Sequence, residues 1–347
     1  MNKKLIALAV AGACFAPTVM AQTANPVTLY GRIYLTVEQV KADGGTAPLS
    51  SRIRMEDQAS YLGVRGTEDL GGGLKAFFQL ETAFNPEGAS GTFANRNSGV
   101  GLQGGWGSVI LGRWDTPMKV TQTAVDPWGD LTPGDITGAN LDQGNFSRRQ
   151  ANMVQYWSPD WSGITLRVGY VPNEGKVDAT ATTPEVDPSL TSISLAYNKG
   201  PLYVAYAYEE HKGTIASSGA AGTNAGKEEG NAIAARFTMG KFRLSGHYGE
   251  YKKPNSAKDK SYMVGFDWNF AGKHVLLGSY QNAEVGTPDC DMYSIGYRYD
   301  FSKRTFLIAS YTEVDNSPGM NCNFGTASTG GSGGDLTNFA VGVRHIF

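Results

Sequence analysis

The sequence predicts an all-β protein: a single antiparallel barrel of sixteen strands that crosses a membrane. Three observations predict it. Segments of ~10 residues alternate apolar and polar side chains along the whole chain, the period of a strand with one face in hydrocarbon and the other in water. After Ala21 no segment approaches ~18 consecutive apolar residues, so no transmembrane helix is on offer. The connections alternate short and long, as in barrels with tight turns on one membrane face and long loops on the other. A soluble β-sandwich gives similar alternation, but this chain is long for one sandwich and its connections keep the short–long rhythm to the end.

The chain opens on an export signal. Lys3 and Lys4 form a positive start, Leu5 to Phe15 a short apolar stretch, and Val19-Met20-Ala21 a cleavage site before Gln22. The apolar stretch is too short to span a bilayer. A lipid anchor on Cys14 is the alternative, but Ala11-Gly12-Ala13 lacks a large aliphatic residue three positions earlier. Without residues 1–21 the chain is one barrel domain, residues 22–347. Its 28 basic residues against 32 acidic ones make nucleic acid a poor partner.

The first strand, Val27 to Val40, sets the pattern. Leu29, Ile33, Leu35 and Val37 share one face, and Arg32, Tyr34, Thr36 and Glu38 the other. A polar face is stable if it looks into water, so the lumen is solvent-filled. The second strand, about Arg54 to Gly66, puts Leu62 and Val64 outward and Tyr61 and Arg65 inward. The turn Glu68 to Gly73 has glycines for positive φ. The third strand, Leu74 to Phe84, puts Lys75, Gln79 and Glu81 on the face away from Ala76, Phe78 and Leu80. The fourth, Phe93 to Gly104, holds a Gly-x-Gly-x-x-Gly-like stretch at Gly99–Gly104. A dinucleotide site needs a helix to follow, and here a turn and another strand follow. The glycines are expected instead to let the infolded loop pack closely. From Arg149 to Trp157 the strand parity turns Arg149 toward the lumen. Hairpins around Asn198-Lys199-Gly200, Met239-Gly240-Lys241, Ala271-Gly272-Lys273 and Asp300–Lys303 follow, and Leu336–Phe347 closes. The even count keeps both termini on one side.

Between Ser108–Arg113 and Arg149 runs an irregular stretch of about thirty residues with Pro117, Pro127, Pro133 and the acids Asp126, Asp130, Asp135 and Asp142. A loop that long in a compact domain is expected to be functional. It is read as folding into the lumen, where its carboxylates face arginines on the wall.

Several stretches carry a resemblance: Thr28-Leu29-Tyr30-Gly31-Arg32, the run Gly66 to Glu81, Asn95-Arg96-Asn97-Ser98, Leu111-Gly112-Arg113, Gln155-Tyr156-Trp157-Ser158-Pro159 and the terminal Phe347. In this order they resemble the trimeric general porins of Gram-negative bacteria, in particular the β-proteobacterial group. The resemblance implies a sixteen-stranded barrel with a third outer loop folded inward, assembled as a homotrimer in the outer membrane among lipid and lipopolysaccharide, passing ions and small hydrophilic solutes. Carried over by residue, the basic wall is Arg32, Arg96 and Arg149 with Arg113 at the loop's root. Tyr61 stands where many relatives have arginine, with Arg65 or Arg54 to compensate. The acidic set is Asp126, Asp130, Asp135 and Glu81. Arg96 shares strand parity with Val100 and Leu102, which requires a bulge or apolar residues facing the loop.

Opposed charges make a transverse field in a narrow neck that passes small polar solutes and slows apolar ones. No catalytic residue is implied. The histidines His211, His247, His274 and His345 lack metal-ligand spacing, and Gly330–Gly334 matches a nucleophile elbow without strand, turn and helix around it. No metal or cofactor is implied. The alternative is a substrate-specific channel with a saturable solute site. Cys290 and Cys322 lie by neighbouring outer loops in an oxidising compartment, where a bridge between them is geometrically possible.

Overall fold

The computed structural model describes residues 27–88, 92–129, 133–136, 146–180, 182, 185–213, 226–254, 256–324 and 330–347. The export signal, Asp130 and Asp142 lie outside them. The strands are β1 (Val27–Gly44), β2 (Leu49–Asp57), β3 (Tyr61–Gly71), β4 (Leu74–Ala83), β5 (Ser98–Gly104), β6 (Gly107–Asp115), β7 (Arg149–Trp157), β8 (Ile164–Val171) and β9 (Ser189–Lys199). They continue as β10 (Leu202–Lys212), β11 (Lys227–Met239), β12 (Phe242–Lys252), β13 (Lys258–Ala271), β14 (His274–Glu284), β15 (Asp289–Asp300), β16 (Thr305–Asn316) and β17 (Gly334–Ile346). A short helix, α1 (Pro117–Thr123), follows β6.

Successive strands pair antiparallel, and β17 pairs with β1 from Arg32↔Ile346 to Gly44↔Gly334, so the sheet closes. The 17 segments make sixteen staves because β2 and β3 share one. The outer part of β1 pairs with β2 and its first six residues with β3. The stave breaks at Gln58–Ser60, where Ala59 has φ +54°. Arg32 holds the break: its Nε and a terminal nitrogen donate to the Ala59 carbonyl at 3.1 and 2.9 Å. Backbone carbonyls released by a broken ladder need a donor, and Arg32 supplies it.

Strand period then sorts the side chains. Leu29 (61% exposed) and Val37 (50%) face out, while Glu38, of opposite parity, is fully buried. Inside-out burial of this kind is what a lipid-facing exterior and a polar interior require. Tyrosines mark the outer rim: Tyr248 sits opposite Tyr262, and Tyr280 opposite Tyr293. Trp268 and Phe270 mark the short-turn rim, their rings 5.6 Å apart. Tyr262 and Phe270 are eight residues apart on one strand, ~26 Å at ~3.3 Å per residue, which matches a hydrocarbon band of ~25 Å. No helix among the described residues is long and apolar enough to cross a membrane. The short turns use Gly200, Gly240 and Gly272 at φ +60°, +59° and +67°, a backbone that costs other residues a Cβ clash.

The fourth predicted strand is shorter than expected. It begins at Ser98, after an irregular segment in which Ala94 has φ +57°. Arg96 therefore lies before the strand, and its parity with Val100 and Leu102 has no meaning. Those two residues face outward, 55% and 45% exposed. Nor does the loop press on Gly101. A Cβ there would meet the Phe77 ring at 2.5 Å and the Val109 carbonyl at 2.5 Å, so the neighbouring strands impose the glycine.

Candidate functional site

The wall opens at Gly112, whose φ of +151° accompanies a register shift against β7. The chain leaves at Thr116, which caps α1: its hydroxyl accepts the Lys119 N–H, and Pro117 fills the first turn, where a missing N–H costs nothing. The loop, expected to be irregular, thus begins as a helix. Thr-Pro at 116–117 was its signal.

The described residues of this loop lie against the inward face of β9 to β15. The Met118 N–H donates to Ser192 Oγ at 3.1 Å, and Gln122 Nε2 to the Tyr251 hydroxyl at 3.0 Å. Trp128 Nε1 donates to Ser279 Oγ at 2.8 Å, and Gln281 Nε2 to the carbonyls of Gly134 and Asp135 at 2.8 and 3.1 Å. On the return leg Phe146 stacks on His211 at 4.7 Å. His211 sits between Glu209 (2.8 Å) and Glu228 (3.2 Å). Beside them burial pushes the Arg148 guanidinium pKa down, and Glu209 and Glu228 oppose that shift. The wall here breaks the polar-inside rule: Ala205, Ala234, Met263 and Met292 face in and are buried with Val125 and Ile136 of the loop. Small and sulfur-bearing residues leave room for the loop, and burying apolar surface on both sides stabilises it by ~25 cal/mol per Å².

The acids fall into two groups. Asp126 accepts the Trp128 N–H at 2.9 Å and the Ile136 N–H at 3.4 Å, so it folds the loop onto itself. Asp135 is 2% exposed. Two further carboxylates meet arginines. Glu81, on the wall, takes Arg96 Nε at 2.6 Å and the Tyr30 hydroxyl at 3.1 Å. Asp115, at the loop's root, takes Arg149 at 3.1 Å, and Asn97 braces both. Arg113 donates to the Asn95 carbonyl at 2.9 Å.

The basic wall is laid on aromatic rings. Tyr61 lies between Arg32 and Arg96, whose guanidinium carbons are 5.2 and 5.0 Å from its centroid. Arg65 lies over Tyr30 at 4.9 Å, Arg167 over Trp157 at 5.1 Å and Arg236 over Tyr203 at 5.1 Å. Arg298 and Arg344 share Phe306 at 5.3 and 4.1 Å. A ring face holds a guanidinium without neutralising it. Tyr61, standing where an arginine was expected, organises two others. The barrel thus has a polar lumen, a loop seated on its inner wall, and guanidinium groups laid along that wall, of which Arg96 and Arg298 also meet carboxylates.

A family profile for Gram-negative porins matches residues 7–319. The chain belongs to the Gram-negative porin family. Outer membrane porin protein 32 of Delftia acidovorans is 30% identical over the full length of both chains. An outer membrane porin protein of Bordetella pertussis is 31% identical, again over both full lengths. The solved anion-selective porin from Comamonas acidovorans superposes with a TM-score of 0.80 at 28% identity, covering 93% of this chain and all of that one. The protein is an outer-membrane, multi-pass porin.

For this porin, sequence reasoning missed Arg167, Arg236, Arg298 and Arg344. Their inward parity was readable: Arg344 alternates with outward Val341 and Val343, and Arg236 with outward Ile233 and Phe237. Cys290 and Cys322 are bonded, with Cα atoms 6.4 Å apart, and tie the start of β15 to the loop after β16.

Proposed function

We propose that this porin is a general diffusion channel for ions and small hydrophilic solutes, biased toward anions, with the loop between β6 and β7 narrowing its lumen. The observation that carries the reading is the imbalance of charge on the inner wall. Arg65, Arg167, Arg236 and Arg344 have no ion-pair partner among the described residues, whereas Glu81 and Asp115 are each engaged by arginine. In a low-dielectric neck an unneutralised charge sets ion preference. The printed description of the Comamonas porin as anion-selective agrees with that sign. Asp135 belongs to the same neck, with Arg32, Arg96, Arg113 and Arg149 opposite.

The working assembly is a homotrimer. The outward positions of β1 to β6 are mainly aliphatic: Leu29, Ile53, Met55, Val100 and Leu111 are all more than half exposed, and the tyrosines and tryptophan of these strands, Tyr30, Tyr34, Tyr61 and Trp114, lie on the lumen side. Interfacial aromatics mark contact with headgroups, so this sector suits protein rather than lipid. The tyrosine-belted sector meets lipid and lipopolysaccharide. Residues 1–21 are the export signal, removed on secretion. Single-channel recording across a salt gradient tests the reading. Ohmic steps in threes with a reversal potential on the anion side are expected, and an inserted protein that carries no current would defeat it.

A further inference from the structure

On the outward face of β12 to β16 lies an apolar hollow of about 400 Å³, lined by Leu244, Val264, Phe266, Gly278, Tyr293 and Ile295. Gly278 makes room for it: a Cβ there would meet Cε1 of Phe266 at 2.5 Å, so the ring lies against the wall instead of standing off it. Further along the same face of β13 stand Trp268 and Phe270, 45% and 43% exposed. Beyond them come the short turns, and in this sector all of them carry cations. Lys199, Lys241 and Lys273 stand at the β9–β10, β11–β12 and β13–β14 turns, and Lys303 and Arg304 at the β15–β16 turn. All five are exposed, and none forms an ion pair with any described residue. Asp300, beside the last turn, is taken by Arg298 at 2.8 Å. The long-loop rim differs: Lys212, Lys227 and Lys258 each meet a glutamate, at 3.5, 2.8 and 3.1 Å. The remaining short turns differ too. Lys75 stands opposite Asp69, the β5–β6 turn is uncharged, and the β7–β8 turn carries Asp160.

Lysines without carboxylates at a membrane boundary keep their charge for an anionic headgroup. Trp268 lies between two of these turns. It stands opposite Phe242, the neighbour of Lys241, and the N–H of Asn269 donates to the Lys241 carbonyl at 2.9 Å. Lys273 lies across the next turn. From Lys273 to Gly278 is ~17 Å of strand, or ~12 Å of depth at a tilt of ~45°. That is half of a hydrocarbon band of ~25 Å, the reach of one leaflet. We propose that this face is a binding site for an anionic phospholipid of the short-turn leaflet, with its phosphate between Lys241 and Lys273 and one acyl chain in the hollow. A zwitterionic headgroup brings its own ammonium, which the two lysines repel. The site deepens the reading of this sector as lipid-facing and rests on it.

The test is fluorescence quenching in the full protein, in its native assembly, reconstituted into phosphatidylcholine vesicles containing a graded fraction of brominated phosphatidylglycerol or brominated phosphatidylcholine. The signal lost in Trp268→Phe assigns the Trp268 component. Brominated phosphatidylglycerol is expected to quench that component at a mole fraction about 25-fold lower than brominated phosphatidylcholine, about fivefold for each lysine. Lys241→Gln and Lys273→Gln should each lower the preference about fivefold, and the double variant should abolish it. Lys75→Gln removes a cation from the other sector and should leave the preference intact. Gly278→Ala lifts Phe266 and shrinks the hollow, and should weaken quenching by both lipids. Unchanged heat-modifiable gel mobility certifies that the variants fold. Equal curves for the two lipids in the unmodified protein, or a preference kept in the double variant, overturn the site while Trp268 still meets lipid. Lysines that serve a periplasmic polymer instead would give that result. No quenching of Trp268 by either lipid overturns the lipid-facing sector and the site with it.

Discussion

Asn338 on the last strand donates to Glu38 on the first, Nδ2 to Oε2 at 2.9 Å, across 300 residues of sequence. Glu38 is fully buried and also takes Arg54 Nε and a terminal nitrogen at 3.1 and 2.9 Å, Gln58 at 2.8 Å and the Thr36 hydroxyl at 2.9 Å. The closure of the barrel is thus welded by one carboxylate on the lumen side, next to the broken second stave. Removing one partner of such a cluster strands the rest. Glu38→Ala is expected to destabilise by about 3 kcal/mol, and Asn338→Ala by about 1 kcal/mol. The temperature at which unheated protein shifts to its unfolded gel mobility reads both, and an unchanged temperature for Glu38→Ala would refute the weld.

The seat of Trp128 makes a second prediction. Its ring covers Gly296, where a Cβ would lie 2.7 Å from Cζ3, and its indole N–H reaches Ser279. Gly296→Ala should push the ring off the wall. Trp128→Phe keeps most of the packing and removes one hydrogen bond, about 1 kcal/mol or roughly a fivefold shift in loop seating. Open-channel noise should therefore rise in both variants, more in Gly296→Ala. Equal, quiet channels would show that the tryptophan does not hold the loop.

Ion selectivity should follow the arginines that lack carboxylates. A unit charge ~7 Å from the ion path in water is worth ~0.6 kcal/mol, favourable to an anion and unfavourable to a cation, so about eightfold in the anion-to-cation ratio. Arg65→Gln and Arg344→Gln are each expected to lower the anion-to-cation ratio by about that factor. They should combine multiplicatively, since they lie on different rings, Tyr30 and Phe306. Neutralising Arg96, already paired with Glu81, should change the ratio less. Reversal potentials in a salt gradient give all three numbers.

The aliphatic sector yields a test of assembly. Val100→Lys puts a charge at an outward position of β5. In a trimer contact it should release monomers on an unheated gel, whereas Val264→Lys on the lipid-facing sector should hinder membrane insertion and leave assembly intact. Loss of assembly in neither variant would move the contact elsewhere.

Cys290 and Cys322 close a loop of 32 residues. A chain-entropy account gives about 3–4 kcal/mol for a loop of that size. Cys290→Ser with Cys322→Ser is expected to lower the unfolding transition accordingly and to expose the last outer loop to protease. Free thiols titrated in the denatured, unreduced protein would show that the bridge does not form in the cell.

Much of the fold was legible because strand period is covalent. The alternation Leu29, Ile33, Val37 against Arg32, Thr36, Glu38 assigns the lipid and lumen faces without any knowledge of neighbours. Arg65 and Glu81 follow by parity. The break at Gln58–Ser60 was not legible, since nothing local marks Ala59 for φ +54°; the guanidinium of Arg32, 27 residues away, stabilises it. Arg96 misled for the same reason: a bend before Ser98 cancels the parity count.

By itself the sequence determined a barrel with an aliphatic or aromatic exterior, a polar lumen, sixteen staves and one long interrupting loop, because each of these follows from residue order along a strand. Tertiary structure alone decided which charges remain free. Arg65 laid over Tyr30, Asp126 turning into its own loop, and Arg344 laid over Phe306 all depend on contacts between distant parts of the chain. Electrostatic function comes from charge left uncompensated, and compensation is a matter of distances that only the closed barrel fixes.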